Sequence, residues 1–191
     1  IRMKLLQEAI EKRGEIINDF ILKVDSFLNH QIDCALMEQI GIEFANYFKD
    51  KHFTKIVTIE SSGIAPAVFT GLKMNLPVIF LKKSEPSTMK DPVYTEAFSF
   101  TKNRKYTLCM ERNCLNSEDS VLFIDDFLAN GQAFISAEDL VHQCNAKIDG
   151  IGIVIEKSFQ KGRGLIEEKG YDIYSLARIQ EMKDNKVVWA Q

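Results

Sequence analysis

The stretch that most constrains this chain is Val121-Leu122-Phe123-Ile124-Asp125-Asp126-Phe127-Leu128-Ala129-Asn130-Gly131-Gln132-Ala133. Four consecutive apolar residues, β-branched at both ends, read as a buried strand of a parallel sheet. Two carboxylates and a short turn follow. Phe134, Ile135, Ala137, Leu140 and Val141 then resume with the spacing of a helix packed on the sheet. This is the strand–loop–helix unit of an α/β protein, whose ligands bind in the crevice at the carboxyl ends of the strands.

The unit describes a physical site. A helix beginning near Asn130 aims free backbone amides and its positive dipole end into the crevice, which suits a phosphate. Gly131, without a Cβ, lets the backbone approach an anion closely. Asp125 and Asp126 at the strand end would repel phosphate but accept hydrogen bonds from sugar hydroxyls. One loop thus offers acceptors for a diol and donors for a phosphate, which fits a ribose 5-phosphate.

The rest of the chain repeats the α/β pattern. Residues 3–12 predict a helix ended by Gly14, and residues 16–24 a short strand. Residues 25–33 interrupt regular structure, and Asp33 can cap a helix carrying Leu36, Met37, Ile40, Phe44, Tyr47 and Phe48. That aromatic stripe reads as a core face. Residues 55–60 form the first central strand, followed by Ser61-Ser62-Gly63 and a helix over 64–72. Residues 77–81 give the next strand, with Lys82-Lys83 at its end. Residues 83–92 read as a loop. Strands over 94–100 and 106–110, divided by Lys102-Asn103-Arg104, suggest a mobile hairpin that excludes water from the crevice. Residues 147–155 and 171–176 complete the strands. Gly150-Ile151-Gly152 is a decoy for a dinucleotide motif, because no third glycine follows.

Composition narrows the function classes. The 191 residues suit one domain, and a formal net charge of −3 argues against broad electrostatic capture of nucleic acid. No run approaches the ~18 apolar residues of a membrane span. No signal peptide opens the chain, and Met3, preceded by Ile1-Arg2, reads as the natural start. Cys34, Cys109, Cys114 and Cys144 show no C-x-x-C pair, and with His30, His52 and His142 they form no zinc spacing. A reduced, cytoplasmic protein is expected.

The residues 121–133 resemble the signature of the type I phosphoribosyltransferases, with Asn130 where Thr is usual. In that family the acidic pair, here Asp125 and Asp126, binds the ribose hydroxyls of phosphoribosyl diphosphate (PRPP) and is the catalytic assignment carried over to this chain. The following loop, here Ala129, Asn130, Gly131, Gln132 and Ala133, cradles the 5-phosphate. The resemblance also makes Ser61-Ser62-Gly63 the diphosphate loop and gives Lys82 or Lys83 a contact to diphosphate, with Mg²⁺ held mainly by PRPP and no metal site on the protein. It implies a type I fold in one domain: a central, mainly parallel sheet flanked by helices. A small hood from about residues 1–35 and 157–191 and a flexible loop over about 83–105 complete it.

Lys157, past a buried strand, can only donate, which suits a purine O6 carbonyl; Asn29 can donate and accept, and Phe159 could stack on a base or fill core. Unaided, these residues reach only an oxopurine. Over nearly its whole length, however, the chain is similar to the bacterial xanthine-specific members. The match includes Ile59-Glu60-Ser61-Ser62-Gly63-Ile64 and Ile155-Glu156-Lys157-Ser158-Phe159, with Leu22, Asn29 and Lys157 at base-contacting positions. The resemblance implies transfer of phosphoribose from PRPP to N9 of xanthine, giving xanthosine 5′-monophosphate and diphosphate, by a cytoplasmic homodimer without nucleic-acid or membrane partners. Hypoxanthine–guanine relatives carry a proposed base, Asp, at the Ala129 position. Glu96 is the remaining candidate for proton transfer. The alternatives are guanine or hypoxanthine as substrate, or a non-catalytic PRPP-sensing repressor. Such repressors add a basic helix-turn-helix region, and the first 50 residues contain no basic recognition helix.

Overall fold

The computed structural model describes residues 3–99 and 102–191. In chain order the elements are α1 (Lys4–Arg13), β1 (Glu15–Ile17), β2 (Ile21–Lys23), a π-helical turn (Asp25–Asn29), α2 (Cys34–Tyr47), β3 (Lys55–Ile59) and α3 (Ile64–Met74). After these come β4 (Val78–Leu81), β5 (Pro92–Ser99), β6 (Arg104–Glu111), a 3₁₀ turn (Arg112–Cys114), β7 (Ser120–Leu128) and α4 (Gln132–Gln143). The chain closes with β8 (Lys147–Lys157), α5 (Gly162–Glu168), β9 (Ile173–Lys183) and β10 (Lys186–Trp189). No helix among the described residues is long and apolar enough to cross a membrane.

Six strands form one sheet in the order β10-β9-β8-β7-β3-β4, parallel throughout except for the antiparallel β9–β10 pair. The expected α/β class is what forms. Successive side chains of a strand face opposite sides, and β7 shows why its run is apolar without alternation. Leu122 and Ile124 join the core beneath α2 and α3, while Val121 and Phe123 join the core with Phe134, Ala137, Leu140 and Val141 of α4. Both faces of the strand are covered, so both need apolar residues.

The stripe of α2 is core at Phe44 and Phe48, which explains the glycine decoy, whereas Tyr47 is 44% exposed and stacks on Tyr174. A Cβ on Gly150 would stand 2.8 Å from Phe48 and 2.9 Å from Phe53; one on Gly152 would stand 2.7 Å from Ile124 and 2.8 Å from Phe44. These glycines make room for rings. Asp33 caps α2 as expected, its Oδ1 accepting from the Leu36 amide at 3.1 Å.

Four differences from the sequence reading have local causes. Residues 16–24 fold into the β1–β2 hairpin, because Asn18 and Asp19 both take positive φ and turn the chain. The final strand is longer than residues 171–176 and returns as β10 through Asp184-Asn185, again with positive φ. The short helix α5 lies in a stretch read without structure. Strand β7 runs past the acidic pair, because its pairing with β8 continues to Leu128↔Glu156; the expected hairpin forms, with β5 and β6 pairing from Pro92↔Glu111 to Ser99↔Arg104. Phe100, the expected end of the first of these strands, and residues 1–2 lie outside the described residues.

Gly152→Ala is expected to destabilise the fold by about 1–3 kcal/mol through overpacking against Phe44 and Ile124. Urea unfolding measures this, and an unchanged midpoint would contradict the packing role.

Candidate active site

The carboxyl ends of β3, β4 and β7 open into a cleft of about 280 Å³. It is lined by the Ser61-Ser62-Gly63 turn, by Glu60 and Lys83, by Tyr106 of β6, by Asp125, Asp126 and Phe127, and by Ala133 in the first turn of α4. The sequence places the acidic pair just after a strand; in the structure β7 continues through Leu128, pairing Asp125 with Ile153 and Leu128 with Glu156 of β8. The carboxylates therefore leave the sheet from rigid backbone. Asp125 Oδ1 accepts from the Asp126 amide at 2.9 Å, and Asp126 Oδ1 accepts from the Phe127 amide at 2.8 Å.

Asp125 is only 7% exposed. Burial pushes its carboxyl well above the ordinary range, the adjacent Asp126 charge adds to this, and Lys83 opposes it. Tyr106 is raised in turn, by burial first and then by the Asp125 charge. A cation in the cleft would offset the cost of ionising this buried carboxyl.

The Ser61-Ser62-Gly63 turn follows a cis peptide between Glu60 and Ser61. Gly63 is set by space rather than by torsion: a Cβ there would stand 2.1 Å from Thr58 Oγ1 and 3.1 Å from Asp125 Oδ1. The turn and the acidic pair are in close approach only because position 63 is glycine. Glu60, which sequence reasoning passed over, ties this turn to the next strand end by accepting the Lys83 amide at 2.6 Å.

The structure separates the two lysines. Lys83 lines the cleft, its Nζ 5.6 Å from the centre of the Tyr106 ring; Lys82 Nζ lies over Phe80, 4.6 Å from its centre, and its backbone pairs with Cys109. In the loop before α4, Gly131 has φ +86°, a conformation that favours glycine, and the helix begins at Gln132 rather than at Asn130. Asn130 Oδ1 accepts from the Gln132 amide at 3.1 Å, acting as a local cap where a hydroxyl residue is usual in the resembling family.

The candidate base-site residues do not converge: Lys157 is tied to the cleft through Phe127, whereas Leu22 and Phe159 line other cavities. Lys157, the last residue of β8, is half-buried, and burial lowers its pKa. Its Nζ donates to the Phe20 carbonyl of the β1–β2 hairpin at 3.1 Å and stands 5.6 Å from the centre of the Phe127 ring. Phe127, also missed in the sequence, links this lysine to the cleft. Asn29 ends the π-helical turn and is exposed. Leu22 is buried and lines a separate cavity of about 360 Å³ with Ile10 and Ile16. Phe159 is 44% exposed and lines an outer groove with Phe20 and Met182, so it does not join the cleft. Glu96 sits within β5, not in a loop; it is exposed and pairs with Lys105 at 4.0 Å.

No family model matches the chain. It is 53% identical over 190 residues to a xanthine phosphoribosyltransferase of Acinetobacter baumannii, covering 99% of this chain and 100% of the relative. It is also 53% identical to one from Clostridium botulinum, covering 95% and 96%. Its fold resembles the adenine phosphoribosyltransferase of Trypanosoma brucei in complex with AMP, pyrophosphate and ribose-5-phosphate, with TM-score 0.78, 16% identity and coverage of 94% and 81%. The Giardia lamblia enzyme complexed with 9-deazaadenine gives TM-score 0.75 at 20% identity, covering 91% and 97%.

Asp125→Asn removes the buried charge and keeps an acceptor for the Asp126 amide. The folded-state pKa of Asp125 is raised, so its carboxyl is neutral in both states at acid pH and costs stability as pH rises through that value. The variant is expected to gain on the native protein as pH rises and to have the higher Tm at neutral pH. Thermal melts across pH measure it; a variant less stable at neutral pH would contradict the burial argument.

Proposed function

Because the chain belongs to the xanthine phosphoribosyltransferase family, we propose that it is a purine salvage enzyme transferring phosphoribose from PRPP to N9 of xanthine. The products are xanthosine 5′-monophosphate and diphosphate. The observation that carries this reading is the convergence in one cleft of an acidic pair, a serine–glycine turn, a lysine and the first turn of a helix.

Each group has a task in that reaction. Asp125 and Asp126 accept hydrogen bonds from the ribose diol, and the backbone amides of residues 129–133 hold the 5-phosphate. Ser61, Ser62 and Gly63 receive the diphosphate, with Lys83 beside it; Lys82 reaches it only by leaving the face of Phe80. Magnesium fits as an ion borne by the substrate, since it binds diphosphate oxygens with few protein ligands and supplies charge neutralisation there. With diphosphate bound, Asp126 and the Ser61–Gly63 turn of the same cleft would be the groups on hand to hold the ion.

The bond from xanthine N9 to ribose C1 forms as the bond from C1 to diphosphate oxygen breaks, and the electron pair departs with diphosphate. Lys83 and the serine turn stabilise that departing charge. Lys157 donates to a base carbonyl and Phe127 offers a ring to the base, with Asn29 an exposed amide for it; Leu22, buried on a separate cavity, would serve the site only by moving. Phe159 serves this site only if its ring turns in from the outer groove. Position 129 is alanine, so N9 attacks with its own lone pair and the ring N–H proton that the acidic dioxopurine gives up passes to solvent.

An apolar strip along the α3–β4 edge, with Leu72 72% exposed beside Val68 and Phe80, supports a homodimer. Sedimentation that reads the mass of one chain at all concentrations would remove it. Four free cysteines suit a reducing cytoplasm, and residues 1–35 and 157–191 would form the hood of a single-domain enzyme.

A magnesium-dependent turnover panel with PRPP and xanthine, guanine, hypoxanthine or adenine tests the reading. Preference for xanthine is expected; activity confined to another oxopurine overturns the base, and PRPP binding without turnover favours a sensor. In the same assay Lys157→Ala is expected to raise the xanthine KM about tenfold or more and leave the PRPP KM within about twofold. Equal effects on both would remove Lys157 from base recognition.

A further inference from the structure

The helix that sequence reading missed touches the phosphate loop directly. The Gly162 amide, at the start of α5, donates to the Ala129 carbonyl at 2.9 Å. The contact is backbone against backbone. A Cβ on Gly162 would stand 2.5 Å from the Ala129 carbonyl oxygen and 3.0 Å from the Gly131 nitrogen; one on Gly131 would stand 3.2 Å from the Gly162 Cα. Two glycines facing each other let α5 lie on the loop without a spacer.

The next residue fixes α5 in place. Arg163 Nε donates to both Glu156 carboxylate oxygens at 3.0 Å, and a second guanidinium nitrogen reaches Oε1 at 2.7 Å. Glu156 is 1% exposed and also accepts from Ser175 at 2.6 Å and from Arg178 at 3.1 Å. Burial alone would raise the Glu156 carboxyl, but these partners outweigh it and hold it below the ordinary range, so the pair stays charged. Glu156 is rigid because its backbone lies between Leu128 of β7 and Arg178 of β9. Leu128 is the residue before Ala129, and Lys157 the residue after Glu156.

We infer that Gly162 and Arg163 are positioning residues for the 5-phosphate loop: the buried Glu156–Arg163 pair docks α5, and the Gly162 amide then holds the Ala129 carbonyl and fixes the direction of the amides that follow. This deepens, and rests on, the phosphoribosyl reading. It assigns α5 to the phosphate end of the substrate alone, because among the described residues the Ser61-Ser62-Gly63 turn makes no hydrogen bond to α5 and follows β3. Loosening α5 should therefore weaken one end of PRPP and spare the other.

Gly162→Ala and Gly164→Ala form a matched pair, since a Cβ on Gly164 has nothing within 4 Å. Inhibition of turnover by ribose 5-phosphate and, separately, by diphosphate reads the two ends of the site. Gly162→Ala is expected to weaken ribose 5-phosphate about tenfold or more and change diphosphate by less than about twofold; Gly164→Ala is expected to change neither by more than about twofold. Equal losses of both ligands in Gly162→Ala, or equal behaviour of the two variants, overturns the inference while native turnover keeps the enzyme reading. Native protein that binds neither ligand and has no turnover overturns both. Should Gly162→Ala fail to fold, Arg163→Lys takes its place: a lysine cannot bridge both Glu156 oxygens. The same selective loss of ribose 5-phosphate, about threefold or more, is expected, and a loss shared with diphosphate overturns the inference.

Discussion

The structure depends on one strand that is buried on both faces and still delivers two carboxylates to the crevice. β7 lies between β8 and β3, its alternate residues feeding the two cores. Continuous pairing with β8 carries it as far as Leu128, so Asp125 leaves solvent along with its apolar neighbours. A buried carboxylate is costly unless paired, and in the described residues Asp125 accepts only the Asp126 amide, with Lys83 near enough to ease its ionisation. A ribose diol and a nearby cation are the partners such a strand end can use.

Close backbone approach builds the rest of the cleft. Gly63 brings the Ser61-Ser62-Gly63 turn against Thr58 and Asp125, and Gly131 and Gly162 bring the loop before α4 against α5. Glu60 joins one strand end to the next through the Lys83 amide. Pockets of this kind gain precision from elements whose positions are set elsewhere, here by the sheet and by the Glu156 network, rather than from the ligand-facing side chains alone.

What was legible in the sequence follows from how local each cause is. The β7–loop–α4 unit, the turn after β3 and the aromatic stripe of α2 announce themselves because their apolar spacing and small residues lie within one segment. The two hairpin turns were harder: Asn18-Asp19 and Asp184-Asn185 take positive φ without glycine. Helix α5 holds two glycines in seven residues and is stabilised through Arg163 on a glutamate in another element, a tertiary contact that outweighs weak local propensity. The orientations that distinguish Lys83 from Lys82, and Phe127 from Phe159, depend on what lies across the crevice, so a single sequence leaves each pair equivalent.

The central claim is a balanced transfer at one carbon atom, and ¹³C and ³¹P NMR of a reaction with PRPP labelled at C1, xanthine and Mg²⁺ tests it most directly. The account predicts a labelled C1 joined to xanthine N9 in a nucleoside 5′-monophosphate, with one diphosphate released for each nucleotide formed. Label that remains in PRPP, or appears only in free ribose 5-phosphate, would contradict it.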